Sequence, residues 1–121
     1  MTEFRPDRPI YLQLVEEIRK RAARGGYSPG ERLPSVREFA QKMGVNPNTV
    51  SRAYAVLEQQ GFVFTRRGLG CFVTEEEGRL AKERRRLAES ARERFIREIW
   101  ELELPSADLD ELTLTLREEL E

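Results

Sequence analysis

The chain has 121 residues, 39% hydrophobic and 36% charged, with one cysteine and no histidine. That length fits one domain with an appendage, and the high charged share points to long solvated helix faces or to an element that leaves the core to pack on a partner. A lone cysteine excludes an internal disulfide and a cysteine zinc cluster, the lack of histidine excludes His-dependent triads and His metal sites, and no apolar run approaches the roughly 18 residues that span a membrane.

The net charge of −1 hides an asymmetry. Residues 1–74 carry a net +5 and residues 75–121 a net −6. A basic N-terminal part suits a polyanion, and the acidic C-terminal part does not. Met1 to Arg8 contain no apolar core of a signal peptide. A reduced, cytoplasmic protein with no membrane partner is expected.

The first helix is expected to start near Pro9, a favoured first-turn residue. Ile10, Leu14, Ile18 and Ala22 recur every four residues, and Tyr11 and Val15 widen the stripe. This is an amphipathic helix of about four turns, ended by Gly25-Gly26. A turn-rich connector, Tyr27 to Pro34, follows. Ser35-Val-Arg-Glu38 is a capping box for a second, short helix with Phe39, Ala40 and Met43 on its apolar side. Gly44 stops it. Asn46 caps a third helix with Pro47 in its first turn, and Val50, Ala53, Tyr54 and Leu57 point to the core. Two helices joined by a short glycine-containing turn form a helix-turn-helix.

After Gly61 the period changes. Phe62–Thr65 and Cys71–Thr74 are short β-prone runs around Arg66-Arg-Gly-Leu-Gly70, which reads as a hairpin with two arginines near its tip. Three helices and such a hairpin make a winged helix-turn-helix, expected over residues 1–76 and complete by the second wing strand. A long charged helix then starts near Glu76, with Leu80, Leu87, Ala91, Phe95, Ile99 and Leu102 in one stripe. Pro105 breaks it. Ser106 or Asp108 is expected to cap a last helix carrying Leu109, Leu112, Leu116 and Leu120. This two-helix hairpin, residues 77–121, has too few apolar partners of its own, so it is expected to dimerise the chain. The fold class is mainly α with one small β-hairpin.

The polar residues place the chemistry. Asn46, Asn48, Thr49, Ser51 and Arg52 cluster at the N-terminal end of the third helix, off its apolar face. In a helix-turn-helix that end enters the major groove. There Arg pairs with guanine, Asn with adenine, and the Thr methyl meets the thymine methyl. Capping accounts for Asn46, but not for the whole set. Ser35 and Arg37 open the second helix, which crosses the DNA backbone in this geometry. Arg37 would clamp a phosphate or reach a base edge; a salt bridge to Glu38 or Glu31 is its alternative. Arg66, Arg67 and Gly68 suit the minor groove or a phosphate. Cys71 reads as a small hydrophobe, and Phe95 and Trp100 as packing rather than a ligand pocket. Glu75-Glu76-Glu77 and Arg84-Arg85-Arg86 read as solvated faces. No nucleophile or pocket accompanies the carboxylates. No enzyme activity, metal or cofactor is expected.

Three stretches together resemble the DNA-binding domain of GntR-family bacterial transcription regulators. They are Tyr27-Ser-Pro-Gly-Glu-Arg-Leu-Pro-Ser-Val-Arg-Glu-Phe-Ala40, Gly44-Val-Asn-Pro-Asn-Thr-Val-Ser-Arg-Ala-Tyr54 and Leu57-Glu-Gln-Gln-Gly-Phe62. The resemblance covers residues 9–74, and the short helical tail is similar to the YtrA subfamily, whose members dimerise through it. By this resemblance Arg37 matches an arginine used on DNA, Thr49 the start of the recognition helix, and Gly68 the wing glycine. Many relatives carry arginine where this chain has Pro47 and Ser51, so its base preference should differ from theirs. The implied function is a homodimeric repressor on a near-palindromic double-stranded DNA operator, with a small-molecule effector left open. A winged-helix module for protein–protein assembly and a nonspecific nucleic-acid binder are the competing readings.

Overall fold

The computed structural model describes residues 3–121. Along the chain run α1 Ile10–Ala23, α2 Val36–Met43, α3 Pro47–Gln59, β1 Val63–Arg66, β2 Gly70–Val73, α4 Glu77–Leu102 and α5 Ser106–Leu120. They form two compact units, one running to Leu87 and one over Ala88–Glu121. No described helix is long and apolar enough to cross a membrane.

The first unit is a winged helix. α1 begins at Ile10, with Pro9 just outside it rather than in its first turn. Its stripe of Leu14, Val15, Ile18 and Ala22 is buried. α2 carries both halves of the capping box: the Glu38 amide donates to Ser35 Oγ at 3.1 Å, and the Ser35 amide to Glu38 Oε1 at 3.4 Å. Gly44, at φ +68°, reverses the chain, a conformation that side chains with a Cβ resist. Asn46 then caps α3, its Oδ1 accepting from the Asn48 amide at 2.8 Å. Val50, Ala53 and Leu57 of α3 are completely buried in one cluster with Leu14, Ile18, Leu33, Phe39 and Phe62. Tyr54 joins that cluster and satisfies its hydroxyl by donating to the Pro34 carbonyl at 2.7 Å.

The wing strands pair antiparallel, Val63 opposite Val73 and Arg66 opposite Gly70, each one residue away from the runs expected. The connector between α1 and α2 lies along β2, which its turn-rich composition did not reveal. Leu33 donates to Cys71, Val73 to Glu31 and Gly30 to Val73, all through backbone amides at 2.8–2.9 Å. Half-buried Cys71 packs against the core, and burial pushes its thiol pKa up. It is the small hydrophobe expected.

The first unit extends beyond residue 76, and this corrects one expectation about the tail. Leu80 is only 3% exposed and belongs to the same core cluster as Leu14 and Leu57, so it is not a dimerisation residue. Three residues on, buried Glu83 holds two arginines. Arg19 of α1 donates to it at 2.5 and 3.0 Å, and Arg86 at 2.5 and 3.1 Å. Arg19 also reaches Gln60 and lies over the Phe62 ring. Arg84 donates to the Ala23 carbonyl at 2.7 Å. Arg84, Arg85 and Arg86 are exposed, as expected of a solvated face, and Arg84 also ties α4 to the end of α1 while Arg86 braces Glu83. A winged helix cut after Thr74 would lose all of these, so the unit is not complete at the second wing strand.

The second unit contains the rest of α4, a turn at Glu103 to Pro105, and α5. Glu103 takes a positive φ of 50°. α5 opens after Pro105 with no side-chain cap, so neither Ser106 nor Asp108 does the capping expected. No residue of Ala88–Glu121 is buried. Trp100 is 81% exposed, Leu102 63%, Leu114 66% and Leu120 83%.

Burial alone would raise the Glu83 carboxyl pKa, but hydrogen bonds from Arg86 and Arg19 outweigh it and hold it below the ordinary value. The unfolded value is about 4.3. Stabilisation by Glu83 is therefore present above that pH and lost as pH falls through the lower folded value. Glu83→Gln should destabilise the chain by about 1–3 kcal/mol at neutral pH. Urea unfolding of both chains at one protein concentration should show this gap closing below about pH 4. A gap that persists undiminished in acid would assign the effect to packing instead.

Candidate nucleic-acid interface

α3 presents its polar side by geometry. With Val50, Ala53 and Leu57 turned inward, Asn48, Arg52 and Gln59 fall on the opposite face, and all three are exposed. Ser51 is exposed on the flank and Thr49 half-buried. Asn46 is occupied as a cap through Oδ1, which leaves its amide NH2 to donate. Ser35 is likewise occupied in the capping box.

The arginines divide into two groups. Arg5, Arg8, Arg19, Arg79, Arg86, Arg92 and Arg117 each pair with a carboxylate. Among the described residues, Arg37, Arg52, Arg66 and Arg67 pair with none and all four are exposed; Arg21, Arg24, Arg32, Arg84, Arg85, Arg94 and Arg97 make no ion pair either. The alternative partners for Arg37, Glu38 and Glu31, are taken up by the backbone amides of Ser35 and Ser28. Two of the four, Arg52 and Arg66, rest on aromatic faces: Arg52 on Tyr11 at 3.9 Å and Arg66 on Phe64 at 5.4 Å. Phe64 in turn stacks on Phe72 across the hairpin at 5.6 Å. At the wing tip Gly68 takes φ +79°, and the Leu69 amide closes the turn on the Arg66 carbonyl.

Two clefts collect the polar residues. Asn48, Thr49 and Arg52 line one with Ile10 and Tyr11 at the start of α1. Ser35 and Ser51 line the other, between the head of α2, α3 and the wing. Glu58 sits in that second cleft and ties the wing to α3 by accepting from the Thr65 amide at 2.8 Å. Arg32 lines the same cleft and sets a positive charge beside that carboxylate. Arg37, Arg66 and Arg67 line neither cleft. Tyr11 escaped the sequence reading because its place in the apolar stripe of α1 hides its contact with α3.

Residues 10–73 match the family profile described as bacterial regulatory proteins, gntR family. The HTH-type transcriptional regulator YhcF of Bacillus subtilis (strain 168) is 38% identical over 116 residues, 96% of each chain. The HTH-type transcriptional repressor YtrA of the same organism is 44% identical over 71 residues, 59% of this chain and 55% of that one. The solved GntR family transcriptional regulator from Listeria monocytogenes superposes with a TM-score of 0.81 at 36% identity, covering 93% of this chain and 98% of that one. AraR(DBD), solved in complex with operator ORE1, superposes with a TM-score of 0.54 at 32% identity, covering 61% of this chain and 88% of that one. A winged helix with a bare polar recognition helix, a matching family profile and a near full-length regulator relative lead to one assignment: the chain belongs to the GntR family of DNA-binding bacterial transcription regulators.

Proposed function

We propose that the chain acts as a homodimeric cytoplasmic repressor that reads a near-palindromic operator, with Arg37, Asn48, Thr49, Arg52 and the wing arginines on DNA. The observation that carries the dimer is the second unit, where no residue is buried and several large apolar side chains lie bare. Burying one such side chain stabilises by about 1.5–3 kcal/mol, and a two-fold axis counts each one twice. Trp100, Leu102, Leu114 and Leu120 are the largest bare contributors to set against an association cost on the order of 4–15 kcal/mol. Leu87, Ala91, Phe95, Ile99, Leu109, Leu112 and Leu116 belong to the same proposed interface. Ile96, Trp100 and Leu114 join them, although they lie off the expected stripes. Two recognition helices related by a two-fold axis call for two inverted half-sites. The repressor sign rests on the likeness to YtrA.

Sedimentation of the full chain should give a dimer at micromolar concentration. The chain cut after Leu87 keeps Leu80, Glu83 and Arg84, so it should remain folded and run as a monomer. Its operator affinity should fall on the order of 100-fold as the linked second half-site is lost. A full-length monomer, or a cut chain that binds as tightly, overturns the dimer.

Replacing Arg66 and Arg67 with Ala should weaken binding to most duplexes and flatten the dependence of log K on log salt by about 1–2 units per wing, because phosphate contacts release counterions. An unchanged slope removes the wing from the interface.

Arg52→Ala should cost about 1–3 kcal/mol at one base pair of each half-site and relax selection there. Equal loss on operator and random duplex would place Arg52 on phosphate.

A further inference from the structure

Arg52 does not stand alone on α3. Its guanidinium carbon lies 3.9 Å from the centre of the Tyr11 ring, which belongs to α1. The ring is half-buried and packs against the core, whereas the arginine is exposed. The anchor is thus part of the rigid body and the head is at the surface. Among the described residues, Arg52 meets no carboxylate and donates no hydrogen bond within the protein. A ring takes the flat face of a guanidinium, while its N–H donors leave in the plane. Stacking therefore leaves the hydrogen-bonding edge open. It also removes rotamers that a free arginine would lose on meeting a base.

We propose that Tyr11 is a positioning residue for base readout: its ring presets the Arg52 guanidinium at the head of α3. Selection at one base pair then depends on a residue of α1, through its ring and not its hydroxyl. This rests on Arg52 reading a base, and the experiment separates the two claims.

The test uses the full chain and a duplex enriched from a random-sequence pool by the wild type, with its single base-pair variants. Affinities are measured for wild type, Tyr11→Phe, Tyr11→Leu, Arg52→Ala and the Tyr11→Leu/Arg52→Ala double variant. Leucine keeps an apolar group against the core, and thermal unfolding monitors the fold of each chain. Tyr11→Leu should lose about two- to five-fold of discrimination per half-site, at the base pair where Arg52→Ala loses it. Tyr11→Phe should keep wild-type discrimination. In the Arg52→Ala background, Tyr11→Leu should change discrimination no further. If Arg52→Ala relaxes selection and Tyr11→Leu does not, the positioning role is overturned and base reading by Arg52 stands. A uniform loss on all duplexes, shared by Tyr11→Phe, would also overturn it, by placing the hydroxyl on a phosphate. Discrimination untouched by Arg52→Ala removes the base contact first and the positioning role with it.

Discussion

The rotation of α3 about its own axis is the constraint on which the DNA-facing surface depends. Val50, Ala53 and Leu57 have no exposure at all, and together they leave the helix one permitted setting against α1 and α2. A one-residue turn of the helix, about 100°, would carry a polar side chain toward the core at a cost of several kcal/mol. With the inner stripe pinned, Asn48 and Arg52 have nowhere to go but outward. The two helix caps finish the job locally. Ser35 and Asn46 spend their side-chain oxygens on backbone amides, so α2 and α3 start at defined residues and the polar heads of both helices hold still.

A second constraint acts at the edge of the first unit. Glu83 is a buried carboxylate between two arginines, one from α1 and one from its own helix. Buried ion clusters rarely stabilise more than an apolar patch of the same size would. The cluster joins Arg19 of α1 to Glu83 and Arg86 of α4. Leu80, one turn earlier, adds apolar burial on the same side. The start of α4 is thereby locked to the winged helix, while the helix continues into a unit that buries nothing. The chain thus joins a finished core to an unfinished one, and the unfinished part is where a second copy is proposed to contribute.

Much of this was legible in the residues. Capping signals at Ser35 and Asn46, the period of Val50, Ala53, Tyr54 and Leu57, and glycines at 44 and 68 all act over a few residues, and they set α2, α3 and the wing turn. The arginines of the candidate interface were legible for the same reason, since they lie off an apolar face that the sequence spells out. Boundaries slipped where the decisive contact is distant. The third edge of the wing sheet, residues 30–33, forms because β2 offers it free backbone groups, not because its own composition favours a strand.

By itself the sequence determined the order of elements, the polar head of α3 and an acidic helical tail rich in apolar side chains, because periodicity and capping are local. Only the tertiary structure decided which apolar residues of α4 are core and which are bare. Leu80 and Trp100 are both apolar residues on one helix, yet one is sealed and the other is in water. Likewise Arg19, Arg37, Arg52 and Arg86 are alike as letters. Two share the Glu83 carboxylate, one is stacked on Tyr11, and one has neither contact. The difference is which side chains lie within a few ångströms across the fold, and separation along the chain carries no record of that distance.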